Sequence, residues 1–247
     1  MTTTQIPTIR SNRPSTTYEA LPSDVYPARL VRFIGLGIQD QREFQGQAKD
    51  PAFKCSIQFE LIGVDVNGVD STGVPIDPRP ACVFQEYFLF PGATRGKVFD
   101  LCRAIDTTSE ASPRNLEWFT EHLGSIVMVQ VGNYTNKNGV VKNTVQAVQP
   151  CPGFMKNNVG EARTDLVGFN PYVESETNLA AYNKMFKFQR DMLLEAHDSA
   201  NIPFAGKEVQ KQEESKAGTP AQPSVSDSKE PEAHSPTFTH DNEECPF

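Results

Sequence analysis

The sequence has no long apolar run and no segment that resembles an export signal. None of its apolar stretches approaches the roughly 20 residues that a membrane-spanning helix requires. Its first residues, Met1–Pro7, lack the basic and then apolar plan of a secretory signal peptide. We therefore expect a soluble, cytoplasmic protein that does not associate with a membrane.

The sequence shows no motif or spacing typical of a catalytic or metal-binding site, and its many acidic residues are scattered. The cysteines are odd in number and form no C-x-x-C pair: Cys55, Cys82, Cys102, Cys151 and Cys245. This distribution predicts reduced thiols. The histidines show no ligand spacing: His122, His197, His234 and His240. The stretch Gly92–Val98 resembles a phosphate-binding loop, but it is one residue short and has Val98 where a Mg²⁺-binding hydroxyl is needed. We predict a non-enzyme with no metal and no cofactor.

A general excess of basic charge is also missing, since the net charge is −8. From Gly206 to Phe247 there are four Lys and nine Asp or Glu, which give −5, so the rest of the chain is nearly balanced. Hydrophobic residues make up only 38%, which is typical of a folded body with unstructured ends. The predicted parts are a flexible arm at 1–22, a barrel domain at 23–150, an irregular segment plus helix at 151–203, and a disordered acidic tail at 204–247.

The body of the chain shows the periodicity of strands. Val25–Ile34 has apolar residues on both faces, which predicts a strand that is partly covered on both sides. Phe53–Leu61 alternates strictly, which predicts one buried face and one face in water. The other predicted strands are Ala81–Phe90, Ile126–Val131 and Val140–Val148, with loops at 38–52 and 63–80 and a turn at 133–139.

Helical spacing appears in three places. Gly96–Ile105 and the stretch 115–123 predict two short helices between the third and fourth strands. Residues 150–173 appear irregular, and 175–196 predicts a single helix with an apolar stripe at Leu179, Tyr182, Phe186 and Leu193. The chain is therefore predicted to be mainly β. Five strands with a helical insertion between strands 3 and 4 are the element order of an OB-fold barrel, here followed by a C-terminal helix.

An OB-fold barrel commonly binds single-stranded nucleic acid on its second and third strands and on the loops after strands one and four. Such binding needs aromatic faces for the bases and cations for the phosphates. The sequence offers both kinds of residue at these positions. The predicted DNA-binding residues are Arg42, Phe44, Lys49, Lys54, Gln58, Tyr87, Tyr134, Lys137 and Lys142.

The last residues combine an apolar anchor with negative charge. Phe247 carries an aromatic ring and the α-carboxylate on one Cα, and Pro246 favours an extended backbone before it. Asp241, Glu243 and Glu244 precede them. This arrangement suits a small apolar pocket with a basic rim on a partner protein. The alternative is a solvated tail that happens to end in phenylalanine.

The predicted barrel with this acidic tip resembles single-stranded DNA-binding proteins, whose bacterial members close with Ile-Pro-Phe where this chain has Cys245–Phe247. Phage replication proteins of that class also pair a decorated OB barrel with an acidic tail ending in Phe, and Tyr26–Leu30 is similar to them. The insertion at 91–124 and the helix at 175–196 favour the phage type. The resemblance implies a monomer or homodimer that coats single-stranded DNA during replication, recombination or repair. Its tip would recruit a polymerase, helicase, nuclease or recombinase.

Two other classes stay open at this point. One is a structural or assembly protein, such as a virion component, with a barrel and no role in nucleic-acid binding. The other is a nucleic-acid enzyme that uses the barrel as a binding module. Affinity for an oligo-dT strand across salt concentrations distinguishes these classes.

Overall fold

The structure is a computed structural model that describes residues 17–69, 73–136, 139–157 and 159–209. Within them the protein is mainly β, with a few short helices. The strands are β1 (Thr17–Tyr18), β2 (Asp24–Gln39), β3 (Ala52–Val69), β4 (Pro75–Phe88), β5 (Ile126–Thr135), β6 (Val141–Pro150) and β7 (Val167–Phe169). The helices are α1 (Lys97–Ile105), α2 (Glu117–Glu121), α3 (Gly153–Lys156), α4 (Glu176–Asn183) and α5 (Lys187–Glu195), followed by a 3-10 turn at Ser199–Asn201. None of these described helices has the length and apolar character needed to cross a bilayer.

Strand β2 is the centre of one sheet. It pairs antiparallel with β3 on one side and with β5 on the other, and its segment Arg32–Ile34 also pairs in parallel with β7. Strand β4 continues the sheet beyond β3, and β6 continues it beyond β5. The main path through the sheet is therefore β4-β3-β2-β5-β6, with α1 and α2 between β4 and β5. This confirms the predicted mainly β architecture and the helical insertion.

The pairing describes an open sheet rather than the closed five-stranded barrel that the sequence predicted. Among the described residues, no backbone ladder joins the end strands β4 and β6. Thr144 Oγ1 donates a hydrogen bond to Gln85 Oε1 across this seam at 3.0 Å. Farther along the seam, a cavity of about 250 Å³ is lined by Tyr87 of β4, Lys97 of α1 and Gln146 of β6. Side chains and helix α1 thus lie between β4 and β6, where backbone hydrogen bonds would be needed to close a barrel.

The main hydrophobic core lies on one side of the sheet. Leu30, Ile57 and Phe59 from β2 and β3 are fully buried there. Helix α2 covers this core with Phe119, whose ring stacks on that of Phe33 with 4.4 Å between centroids. The insertion is therefore part of the core and holds β2 in place.

A second apolar cluster covers the opposite face of β2. Ile34 and Leu36 are fully buried there. They pack against residues of β7 and the C-terminal helices: Val167, Phe169, Tyr182, Met185, Leu193, Ile202 and Phe204. The covering of β2 on both faces is confirmed. The C-terminal region accordingly packs on the sheet.

The single helix predicted at 175–196 is wrong, because α4 and α5 are separated by a break. Arg32 Nη1 donates to the Lys184 carbonyl at 3.1 Å, and Arg190 donates to the carbonyl of Met185. The Phe186 N–H donates to Gln189 Oε1 at 3.1 Å. Because side chains satisfy these backbone groups, the helix ends there without a glycine or proline. Phe186 leaves the predicted buried stripe and becomes 45% exposed.

Several segments predicted to be irregular are strands. The loop expected at 63–80 is largely the continuation of β3 and β4. Part of the predicted arm forms β1, where Tyr18 pairs with Gly68, a glycine whose Cβ would lie 2.5 Å from the Tyr18 ring. Phe204, predicted to begin the tail, is buried in the second cluster. Tertiary pairing and burial thus outweigh local turn composition. Residues 1–16 and 210–247, which hold the rest of the predicted arm and tail, lie outside the described residues.

Candidate nucleic-acid interface

A groove of about 660 Å³ lies along one part of the seam between β4 and β6. Its walls come from β1, from the loop after β2, from the two end strands and from the turn after β5. The lining residues include Tyr18, Arg42, Phe84, Gln85, Tyr134, Asn136, Lys142 and Thr144. The groove exists because, among the described residues, no backbone ladder closes the sheet along this seam.

Two of the aromatic side chains that line the groove are exposed to solvent. Phe84 is 54% exposed, next to Val83, whose side chain points into the core. Tyr134 is 52% exposed and lies near the end of β5, in register with Lys142 of β6. Exposed flat rings on rigid strands are suitable surfaces for stacking nucleic-acid bases.

Cations flank these rings. Arg42 and Lys142 are exposed, and within the described part of the chain neither forms an ion pair. The acidic Glu86 also lines the groove, but its carboxylate pairs with Lys54 Nζ at 2.5 Å. The local balance at the groove is therefore positive, although the whole chain is acidic.

The loop after β2 presents a second aromatic and cationic pair. Phe44 and Gln47 exchange two backbone hydrogen bonds of 3.0 Å, which close a tight turn. Gln45 and Gly46 have positive φ values of 52° and 75° in this turn. Lys49 Nζ lies 4.9 Å from the centroid of the exposed Phe44 ring. This pair lies on the same loop as Arg42 but does not line the groove.

The outer face of β3, predicted to be in water, is covered by the C-terminal region. Ser56 and Glu60 are buried there. Gln189 Nε2 donates to Ser56 Oγ at 3.2 Å, and the Arg163 N–H donates to Glu60 Oε1 at 3.2 Å. The predicted buried face of β3 is confirmed, but the prediction that its polar face lies in water is wrong, because distant segments of the chain cover that face.

This covering changes the role of two predicted DNA-binding residues. Lys54 is paired with Glu86 and is only 18% exposed. Gln58 has a buried Oε1 atom that has no hydrogen-bond partner among the described residues. Neither side chain lies on an open surface, and neither lines the groove.

Tyr87 was predicted to stack on a base, but it lies in the main core and is 7% exposed. Burial raises the pKa of its hydroxyl well above the ordinary value. The alternating pattern of β4 was ambiguous because both faces are rich in apolar residues. The residue that sequence reasoning missed is Phe84, which lies opposite Gln58 in the β3–β4 register. The polar face of β3 was the available signal, since cross-strand neighbours share a face.

The structure thus brings together Arg42, Tyr134 and Lys142, and adds Phe84 and Tyr18. Of the other predicted residues, Lys137 lies outside the described part of the chain. So do the predicted partner-binding residues of the tip: Asp241, Glu243, Glu244, Pro246 and Phe247.

Comparisons of the chain with protein families, with curated proteins and with solved structures find no match. Within the described ranges, His, Cys, Asp and Glu side chains form no group of three or more that could hold a metal ion.

Proposed function

We propose that this protein binds single-stranded DNA in the groove between β4 and β6, and that its sheet is a partly open barrel of the OB type. The path β4-β3-β2-β5-β6, with a helix between β4 and β5, is consistent with that topology. OB folds are partly open barrels that bind oligonucleotides with the loops after their first and fourth strands. Here those loops carry Arg42 and Asn136, and both residues line the groove.

One observation carries the proposal: two exposed rings, Phe84 and Tyr134, share a groove with two exposed cations, Arg42 and Lys142. Bases of any sequence stack on such rings, and phosphates pair with such cations. A duplex keeps its bases stacked inside the helix and offers the rings nothing equivalent. The arrangement therefore favours sequence-tolerant recognition of unpaired strands.

In the cell, the protein would coat exposed strands during replication, recombination or repair. The acidic tip would recruit a replication or recombination protein. The net acidity of the chain does not oppose this role, because two exposed cations line the groove and the excess acid lies in the last part of the sequence. A bound DNA strand interacts mainly with charges within one Debye length, roughly 10 Å, because salt screens the more distant ones.

The test is the affinity of the full-length protein for labelled oligo-dT, measured by fluorescence anisotropy across salt concentrations. We expect the affinity to fall as salt rises, because phosphate contacts release counterions. Phe84→Ala and Tyr134→Ala should each weaken binding by roughly 1–3 kcal/mol where a base stacks. Arg42→Gln and Lys142→Gln should each reduce the salt slope by about 1.

Two variants control for loss of exposed rings and charges in general. Phe154 is exposed and Lys156 is exposed, and both lie outside the groove. Phe154→Ala and Lys156→Gln should leave the affinity within about twofold of the parent, since neither removes a groove contact. Equal affinity for duplex and single strand, or none for either, would contradict the proposal. The absence of any binding would favour the structural or assembly role instead.

A further inference from the structure

A stripe of aromatic rings continues from the groove onto the C-terminal helices. The Phe84 ring centroid lies 6.2 Å from that of Phe188 on α5. The Phe188 centroid lies 5.9 Å from that of Phe186, and the two ring planes differ by 9°. Phe186 and Phe188 are 45% and 40% exposed. The rings therefore form one partly exposed surface that leads away from the groove.

The break between α4 and α5 produces this exposure. Because of the break, α4 ends before Phe186 and α5 begins after it as a separate helix. The face of α5 that carries Gln189 and Leu193 is buried. Phe186 and Phe188 consequently point outward. Leaving large apolar rings in water costs free energy, and contiguous exposed apolar patches typically mark binding surfaces.

The surrounding charges indicate what this surface binds. Lys184, Lys187 and Arg190 flank the two rings in the sequence. Lys184 Nζ pairs with Asp165 at 2.8 Å, and Lys187 Nζ pairs with Asp191 at 2.6 Å. Both pairs are exposed, and such pairs contribute about 0–1 kcal/mol, so a phosphate can replace either carboxylate at little cost. Flat rings beside lysines that can exchange a carboxylate for a phosphate are suited to binding a single-stranded nucleic acid, which carries both phosphates and flat bases.

We propose that Phe186 and Phe188, together with Lys187, form a second base-stacking platform for single-stranded DNA, reached from the groove past Phe84. This inference rests on the proposed function of the groove. A strand that fills the groove continues over α5, and its next bases stack on the two phenylalanines. The C-terminal helices therefore form part of the DNA-binding surface and lengthen the bound segment.

The experiment compares short and long oligonucleotides on full-length protein. Oligo-dT strands of about 4 and about 16 nucleotides bracket the site sizes of single OB folds. The variant F186A/F188A should bind the short strand about as tightly as the parent does, because that strand fits within the groove. It should bind the long strand about 10-fold to 100-fold more weakly, as expected when stacking on one or more bases is lost.

Two further variants separate stacking from packing. F186L/F188L keeps apolar volume beside Phe84 and over Arg32, whose guanidinium lies 4.8 Å from the Phe186 centroid, but removes the flat rings. It should therefore also lose affinity for the long strand. Leu194 is an exposed apolar residue on the same helix, and L194A should bind both strands as the parent does.

Each outcome decides between the platform and its absence. Unchanged long-strand affinity in F186A/F188A and F186L/F188L, with weakened binding in Phe84→Ala, overturns the platform and leaves the groove intact. Equal losses for both strand lengths also overturn it, because the rings would then belong to the groove site. If the parent binds neither strand, the groove and the platform fail together. If F186A/F188A unfolds, F186L/F188L decides the result.

Discussion

At the scale of single residues, two cysteines in the main core have unusual acid–base properties. Cys55 and Cys102 are buried, and burial raises the pKa of each thiol to about 12. The thiolate is the reactive form, so both thiols are almost entirely un-ionised at pH 8. The Cys55 thiol also donates to the Tyr87 carbonyl at 3.6 Å.

We expect both thiols to resist alkylation in the folded protein. Native protein treated with iodoacetamide at pH 8 and mapped by mass spectrometry should show Cys55 and Cys102 unlabelled. Both should label fully in denaturing urea, because unfolding restores the ordinary thiol pKa. Cys82 is partly exposed and provides the internal comparison. Labelling of Cys55 or Cys102 at the rate of Cys82 would contradict the prediction.

A second prediction at this scale concerns the stacked pair of Phe33 and Phe119. Both rings are fully buried, so Phe119→Ala leaves a cavity in addition to losing apolar burial. The free energy of unfolding should fall by about 3–5 kcal/mol in urea titrations. The exposed Phe154→Ala should change it by at most about 0.5 kcal/mol. A loss below about 1 kcal/mol for Phe119→Ala would show that α2 does not cap the core as described.

The residues of β4 show why site prediction from sequence was partial. The alternation in β4 was evident, but Phe84 and Tyr87 are both aromatic, and periodicity alone does not say which faces the core. The choice depends on the register with β3, which forms only in the folded sheet. The structure places Arg42, Tyr134 and Lys142 along one groove, although they lie on the loop after β2, on β5 and on β6. Their role in DNA binding stays a prediction.

At the scale of elements, the five long strands β2 to β6 and the two inserted helices were predictable because each has a clear period, whereas β1 and β7 lie in segments predicted to be irregular. Their lengths were not. Residues 63–69 have the composition of a loop but pair with β4, and Lys184–Phe186 has no helix-breaking residue yet separates α4 from α5. Both outcomes depend on partners far away in sequence, such as Arg32 for the break.

The second apolar cluster predicts a requirement for the C-terminal region. A chain that ends at Gln149 loses β7 and leaves Ile34 and Leu36 without their cover. We expect a lower melting temperature or poor solubility by differential scanning fluorimetry and gel filtration. A chain that ends at Val209 keeps the described C-terminal elements and should melt like the parent. A Gln149 fragment that melts like the parent would show that the cluster is dispensable.

At the scale of the whole molecule, the groove cations and the excess negative charge lie in different parts of the chain. Two exposed cations, Arg42 and Lys142, line the groove, and the sequence from Gly206 to Phe247 carries −5. In the proposed mechanism this acidic segment competes with DNA for the groove cations, most effectively at low salt. We therefore expect removal of residues 241–247 to leave single-stranded DNA binding unchanged or tighter.

The same removal should abolish recruitment of a replication or recombination partner, because Phe247 and its carboxylate are the proposed anchor. Phe247→Ala separates the two effects: the partner should be lost, while the acidic competition largely remains. Anisotropy with oligo-dT and co-sedimentation with the partner measure them independently. Weaker DNA binding after the deletion would place the tip in the DNA site and contradict this mechanism.

The open seam also has a consequence for amide hydrogen exchange. Strands β2 and β3 are inner strands of the path β4-β3-β2-β5-β6, and β3 is paired with both β2 and β4 over Lys54–Glu60, so their central amides should exchange with deuterium most slowly. Strands β4 and β6 have a ladder on one side only within the described residues, so their outward amides should exchange faster. A DNA strand bound in the proposed groove would cover those edges. Slower deuterium uptake at β4 and β6 would then report groove occupancy directly, without any label on the DNA.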